Sequence, residues 1–217
     1  MNLLEFARGP ALEWAFIIFI AGISWRLIGT LFLLRHKSLS KPRDYNKFYG
    51  GLRTIVLRSW PRNFINKDNV FPIIMGYILH IGLFIIVFLF IPHILFFKSL
   101  FGFEWPGIPN DLVMLTAAIT IAALIAMLIR RITNPVLKAI STADDYITWF
   151  VTFLPILTGI LAYAHFGARY ETMLAIHFLS VALLMIWFPF GKLMHAILVF
   201  PSRGQMGALF IRRGVKL

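Results

Sequence analysis

Two histidines, His177 and His195, lie in one apolar stretch of the sequence, 18 residues apart. An α-helix turns about 100° per residue, so 18 steps complete five turns and place both imidazoles on one face. Their separation along the axis is about 27 Å, close to the thickness of a bilayer core at about 30 Å. Imidazole is a good metal ligand and is costly in lipid. The spacing therefore predicts one metal-ligating histidine near each side of a membrane.

The composition indicates a membrane protein that binds no nucleic acid. Of 217 residues, 59% are hydrophobic and 14% are charged, and several apolar runs reach transmembrane length. The net charge of +12 comes mostly from clusters between these runs, as membrane topology alone produces. Cysteine is absent, which excludes disulfides, thiol chemistry and iron–sulfur ligation by this chain. Iron would have to be held by His, Met or Tyr, which indicates haem.

Hydropathy predicts an all-α fold, a bundle of five transmembrane helices that forms a single membrane domain over 1–217. The predicted spans are approximately 12–34, 70–97, 111–129, 146–166 and 172–200. We expect the first to be a retained helix and not a signal peptide, because Glu5 precedes it, Arg26 lies within it and no small-residue cleavage site ends it.

Positive charge is concentrated on one side of these spans. The first connection holds nine basic residues, namely Arg35, Lys37, Lys41, Arg43, Lys47, Arg53, Arg58, Arg62 and Lys67. The connection 130–145 holds three and the tail from 201 holds four, whereas the opposite side has only Arg8, Lys98 and Arg169. The excess predicts an external N-terminus and a cytoplasmic C-terminus.

This orientation pairs the histidines by level. Span 2 runs outward and span 5 runs inward, so His93 pairs with His177 on the outer side and His80 with His195 on the inner side. Two bis-histidine pairs predict two b-type haems. His165, at the outer end of span 4, is an alternative outer ligand to His93.

One geometric objection concerns span 2. His80 and His93 are 13 residues apart, which is three turns plus about 220° on an ideal helix, so they do not share a face. The two haems would then approach span 2 from different sides. Pro92 is expected to bend the outer end of span 2, and Pro189 with Gly191 to shorten the vertical gap on span 5.

The last apolar segment, TMLAIHFLSVALLMIWFPFGKLMHAILVFPSR, contains a PFGKLMH run that ends at His195. It closely resembles the last helix of the nitrate-reductase gamma-subunit family of membrane cytochromes b. In that family a Pro-Phe-x-[Arg/Lys]-Leu-x-His motif carries the cytoplasmic-side haem ligand, and a second ligand lies 18 residues upstream, here His177. YILHIG around His80 is similar to the family's span 2. Members of that family have five transmembrane helices and an external N-terminus, so at the level of topology the resemblance covers the whole chain.

The chain departs from the nitrate-reductase branch at the outer ligand of span 2. There the second ligand follows the first by ten residues, a position held here by Phe90, and the nearest histidine is His93. The departure favours the relatives that work with sulfite-reductase-associated or heterodisulfide-reductase-like iron–sulfur partners.

The resemblance implies a subunit of a respiratory oxidoreductase complex in the prokaryotic cytoplasmic membrane. It would exchange electrons between a quinone pool, menaquinone or ubiquinone, and a cytoplasmic iron–sulfur subunit by way of two haem b groups. A chain without cysteine holds no cluster of its own, so electrons at the inner haem need a partner. The basic connection and tail are a docking surface for that partner or for anionic lipid.

Further residues are candidates for cofactor contacts. Arg26 could pair with a haem propionate or snorkel to headgroups, and Lys192 lies near the inner haem or at the interface. For the quinone, polar residues gather on the outer side, namely Lys98, His165, Arg169 and Tyr170.

Two other classes of function remain open. In one, His80, His177 and His195 form a relay in a small proton or metal transporter, although the sequence shows no repeated half. In the other, the chain is a haem-free anchor that recruits a soluble partner.

Overall fold

The computed structural model describes residues 2–32, 41–43, 46–59 and 69–215. Five helices are long and apolar enough to cross a membrane: Leu3–Thr30, Val70–Leu89, Asn110–Thr133, Ala143–Tyr163 and Tyr170–Trp187. Within these described ranges there is no β-strand, and Phe90 and Ile108 form an isolated parallel β-bridge. The predictions of an all-α fold and of five apolar spans are confirmed. They are compatible with a multi-pass membrane protein, and its orientation stays a prediction.

The helices follow one another along the chain. They are α1 (Leu3–Phe6), continued by a π-helical turn (Ala7–Ala11), α2 (Leu12–Leu31), α3 (Lys47–Leu57), α4 (Val70–Leu89), α5 (Ile91–Phe101), α6 (Asn110–Thr133), α7 (Pro135–Ile140), α8 (Ala143–Tyr163), α9 (Tyr170–Trp187), a 3₁₀ turn (Lys192–Met194) and α10 (His195–Arg213). Four of the basic residues counted in the first connection lie outside the described residues: Arg35, Lys37, Arg62 and Lys67.

The chain forms two compact units. The first comprises Met1–Phe16 and Asn66–Met185, and the second comprises Ile17–Ile65 and Ile186–Leu217. The expected single membrane domain stays a prediction.

In the first unit, α4, α6 and α8 pack closely. Gly82 of α4 meets Thr120 of α6 so tightly that a Cβ on the glycine would overlap the threonine hydroxyl. Leu124 and Ile156 are buried between the helices, and the Trp149 indole Nε1–H donates to the Leu124 carbonyl at 2.8 Å. Helices can approach this closely only where they carry small residues. Close packing of this kind drives helix association in membranes, because lipid provides no hydrophobic driving force between helices.

The start of α8 illustrates local sequence control. The Thr142 backbone N–H donates to the Asp145 carboxylate at 2.9 Å, as expected for a helix that begins with acidic residues in its first turn. Asp145 also forms an ion pair with Arg131 at 3.1 Å, which ties α8 to the end of α6.

Span 2, predicted as one helix over 70–97, is two helices. The break lies at Phe90, whose ψ of 122° is extended, and α5 begins just before Pro92. Proline has no N–H and excludes the carbonyl four residues earlier from the helical ladder. That carbonyl, of Phe88, accepts instead from the Trp105 indole at 2.5 Å. His80 and His93 therefore lie on different helices, and the objection based on an ideal helix does not apply.

Span 5, predicted as one helix over 172–200, is also interrupted, so the prediction that one helix carries both His177 and His195 is wrong. α9 ends at Trp187, and α10 begins at His195 after a 3₁₀ turn. Pro189 and Gly191 lie in the break, and both disfavour a continuous helix. The argument from five whole turns, which assumes a continuous helix between the two histidines, therefore does not apply.

In the second unit, α3 and α10 pack through glycines. A Cβ on Gly50 would lie 2.8 Å from the Gly207 carbonyl oxygen, and one on Gly51 would lie 3.0 Å from that of Gly204. In α2, a Cβ on Gly22 would lie 2.6 Å from the ring of Pro189, so the break after α9 rests against a glycine.

Candidate functional site

The imidazole rings of His93 and His177 lie parallel to each other in the first unit. Their centroids are 6.2 Å apart and their planes differ by 5°. His93 comes from α5 and His177 from α9, and both side chains are half-buried. The predicted outer pair is thus brought together.

The spacing of this pair has a chemical meaning. Two imidazoles bound edge-on to one metal, with metal–nitrogen bonds of about 2.0 Å, would have ring centroids roughly 6 Å apart. Offset ring stacking also allows this separation. Which nitrogen of each ring is available to a metal therefore matters to the assignment.

The tautomer of His93 is set by the broken end of α4. Its Nδ1 lies 2.8 Å from the Ile86 carbonyl oxygen, which can only accept, so Nδ1 carries the proton and the lone pair is on Nε2. Phe90, at the break itself, packs edge-on against the His93 ring at 5.1 Å. The break in span 2 therefore places and orients this histidine.

The tautomer of His177 is set by a buried group of hydroxyls. Its Nδ1 lies 3.2 Å from the Thr158 hydroxyl, which donates its own proton to the Leu154 carbonyl at 2.8 Å. Thr158 thus accepts from the Nδ1–H and leaves the lone pair on Nε2. Ser180 donates to the His177 carbonyl at 2.7 Å and lies 3.0 Å from the Thr158 hydroxyl. Metal-bound histidines usually donate their other N–H in this way.

A glycine makes room for the His177 ring. A Cβ on Gly159 would lie 3.2 Å from His177 Cε1, which is tighter than nearly all side-chain contacts. Gly159 and Thr158 are neighbours on α8. The glycine leaves space for the His177 ring, and the Thr158 hydroxyl accepts a hydrogen bond from it.

His80 and His195 have the same nitrogen engaged. His80 Nδ1 lies 2.6 Å from the Gly76 carbonyl, and His195 Nδ1 lies 2.7 Å from the Lys192 carbonyl. Each ring therefore carries its lone pair on Nε2. His80 belongs to the first unit and His195 to the second. The predicted inner pair stays a prediction.

The turn between α8 and α9 carries the predicted quinone residues His165 and Tyr170. The backbone of His165 has a φ of 51°, in the left-handed region that few side chains adopt. Its ring stacks on Tyr170, with centroids 4.9 Å apart and planes 21° apart, and its Nδ1 lies 3.0 Å from the Tyr163 carbonyl. The Tyr163 ring in turn contacts Phe90 at 5.9 Å, so aromatic rings link this turn to His93.

The other predicted cofactor residues lie in varied settings. Lys98 forms an exposed ion pair with Glu104 at 2.9 Å. Arg169 accepts the Met173 N–H at the start of α9 with its carbonyl. Arg26 is exposed on α2, and Lys192 begins the 3₁₀ turn before His195.

Sequence reasoning missed the residues that support the outer pair, namely Phe90, Thr158, Gly159 and Ser180. The signal for three of them was a run of small or polar residues inside apolar helices, where an unpaired hydroxyl is costly. Across the part of the chain that the structure describes, no three His, Cys, Asp or Glu side chains converge on a metal position. Of these side-chain types, the pair itself therefore offers two nitrogens and no third donor among the described residues.

The chain is similar to a protein of Nitratidesulfovibrio vulgaris (strain Hildenborough), with 28% identity over 221 residues. The alignment covers 96% of this chain and 94% of that protein. No family model matches the sequence, and no solved structure matches it. The likeness extends over nearly the whole of both chains.

Proposed function

We propose that the protein is a membrane di-haem cytochrome b subunit. It exchanges electrons between a quinone pool and an iron–sulfur partner on the cytoplasmic side of a prokaryotic inner membrane. The observation that carries the proposal is the pair His93 and His177, whose parallel rings are 6.2 Å apart.

The donor set fits haem better than it fits a bare metal ion. A haem iron takes four nitrogens from its macrocycle and would need only two ligands from the protein. His93 and His177 offer one nitrogen each, with the second nitrogen of each ring held by an oxygen. Haem b supplies one-electron redox chemistry when it is bound.

The inner site rests on the sequence motif and on ring orientation. The PFGKLMH run ends at His195, whose Nδ1 is engaged by the Lys192 carbonyl, and His80 shows the same arrangement with Gly76. In both rings Nδ1 faces a backbone carbonyl, as it does in His93. We assign His80 and His195 to the second haem, and Arg26 and Lys192 to its surroundings or to lipid headgroups.

The quinone headgroup is assigned to the turn that holds His165 and Tyr170. A neutral imidazole can donate a hydrogen bond to a quinone carbonyl or accept the proton of a quinol hydroxyl. Its backbone strain, at φ 51°, is typical of functional positions. Ring contacts of Phe90 with Tyr163 and with His93 link this turn to the outer pair and support a quinone position nearby.

An electron carrier without cysteine needs a partner that holds the next cofactor. We assign this role to a cytoplasmic iron–sulfur subunit.

The test is a spectrum of the purified protein. Reduced-minus-oxidised bands of low-spin haem b and a pyridine haemochrome content near two per chain are expected. His195→Ala should lose one of the two and keep the outer haem, because the outer pair lies wholly on other helices. A protein purified from haem-replete cells without low-spin bands would refute the proposal, and it would leave the anchor and transporter alternatives.

A further inference from the structure

The apolar side of α3 faces away from the protein. Phe48, Leu52 and Val56 recur every four residues and are all exposed, Phe48 to 82% and Val56 to 63%. Gly50 and Thr54, on the same helix, are buried. At about 100° per residue the three apolar residues share a sector of about 80°, and the two buried ones lie opposite. We call Phe48, Leu52 and Val56 the apolar stripe.

The apolar stripe cannot replace the small residues of α3 in the contact with α10. Gly50 approaches Gly207 of α10, where a Cβ would lie 2.8 Å from the carbonyl oxygen, and the Thr54 hydroxyl donates to the Gly50 carbonyl at 2.8 Å. Rotating α3 to bury Phe48 against α10 would push the two backbones apart. The outward direction of the apolar stripe is therefore a consequence of glycine packing.

Further contacts lock the two helices together. The Arg58 guanidinium lies over the Phe210 ring at 5.5 Å, and Arg203 donates to the Ser59 hydroxyl at 3.0 Å. The pair α3–α10 is thus a firm surface element.

The apolar stripe does not belong to a transmembrane helix. Eleven residues rise about 16 Å, roughly half of a bilayer core. In sequence, α3 lies in the connection between two helices that can cross a membrane, α2 and α4. It is tethered at both ends to spans, within reach of the membrane surface.

The charges of the pair have one sign. Ranges 46–59 and 195–215 contain no acidic residue and six basic ones: Lys47, Arg53, Arg58, Arg203, Arg212 and Arg213. A short helix with an exposed apolar side and only basic charge is typical of elements that lie in the interface of an anionic membrane. A soluble partner would have to supply its own apolar groove, whereas lipid is already adjacent.

We propose that the α3–α10 pair is a peripheral membrane-binding surface, with the apolar stripe at the boundary of acyl chains and headgroups and the basic residues at lipid phosphates. The ligand is the anionic headgroup surface of the leaflet, and the interaction holds the connection between the first two spans against the membrane. This interaction does not involve haem, so its test is separate from the test of the proposed electron transfer.

The experiment places a nitroxide on single cysteines at Phe48, Leu52 and Val56 of the full chain, which has no cysteine of its own. The protein is held in nanodiscs of phosphatidylcholine with phosphatidylglycerol. At all three positions, collision with oxygen should exceed collision with a water-soluble nickel chelate severalfold. Leu115, exposed on α6, is the lipid-facing control.

Two results would overturn the inference. Greater nickel than oxygen collision at Phe48, Leu52 and Val56 would place the apolar stripe in water, free for a soluble partner. Equal depth in nanodiscs of phosphatidylcholine alone would show that the anionic headgroups contribute nothing. The proposal expects the labels to move toward water when phosphatidylglycerol is left out.

Discussion

His93 and His177 come from two separate helices and hold their imidazole planes within 5° of each other, with centroids 6.2 Å apart. Each ring has its Nδ1 against an oxygen, the Ile86 carbonyl for one and the Thr158 hydroxyl for the other. Two rings oriented by separate partners can present their remaining nitrogens to one iron.

The variants His93→Ala and His165→Ala should have different effects on haem content and on the rate of haem reduction. The first removes a proposed ligand and should lower the pyridine haemochrome content by one haem per chain. The second should keep both haems and slow their reduction by a quinol analogue at least tenfold, because the proposed proton acceptor is lost. If His165→Ala loses a haem and His93→Ala does not, the two roles must be exchanged.

Thr158→Val should weaken the outer haem without removing a ligand. Valine keeps the shape of threonine but cannot accept the His177 Nδ1–H, and loss of such a partner typically costs about 10–100-fold in affinity. The measurements are the rate of haem transfer to an acceptor protein and the midpoint potential of the outer haem.

The matched control for this variant is Thr152→Val. Thr152 is also buried on α8, and its hydroxyl donates to the Thr148 carbonyl of its own helix. It should leave haem transfer and midpoint potential unchanged. Equal effects of the two variants would contradict the role of Thr158.

Trp105→Phe should destabilise the protein by about 1 kcal/mol, because the Phe88 carbonyl loses its donor at the break before Pro92. The phenyl ring keeps the aromatic contacts to Phe97 and Phe103. Thermal unfolding in detergent measures the change. Trp25→Phe, at an exposed position of α2, is the control and should unfold like the parent protein.

The orientation of the chain can be tested by labelling single cysteines in intact cells and in inverted vesicles. The positive-inside rule predicts that Lys47 and Arg213 are cytoplasmic, and that Leu3 and Phe103 are external. All four positions are exposed. A reversed pattern would exchange the outer and inner haem assignments throughout.

Hydropathy and local chemistry predicted the five apolar helices and the start of α8. The length of an apolar run and the placement of Thr142 and Asp145 act within a few residues, so they can be read without a fold. Proline positions also indicated where helices would bend. They did not indicate that span 2 would stop at Phe90 or that span 5 would end before His195.

The sequence alone determined which side chains could ligate a metal, how many helices could cross a membrane and where positive charge accumulates. The tertiary structure decided the rest. It brought His93 next to His177 at a helix break, where the Trp105 indole donates to the Phe88 carbonyl. It placed Thr158, Gly159 and Ser180 around His177. It also turned the apolar side of α3 outward. These features depend on contacts between helices that are far apart in sequence, and no local pattern of residues specifies them.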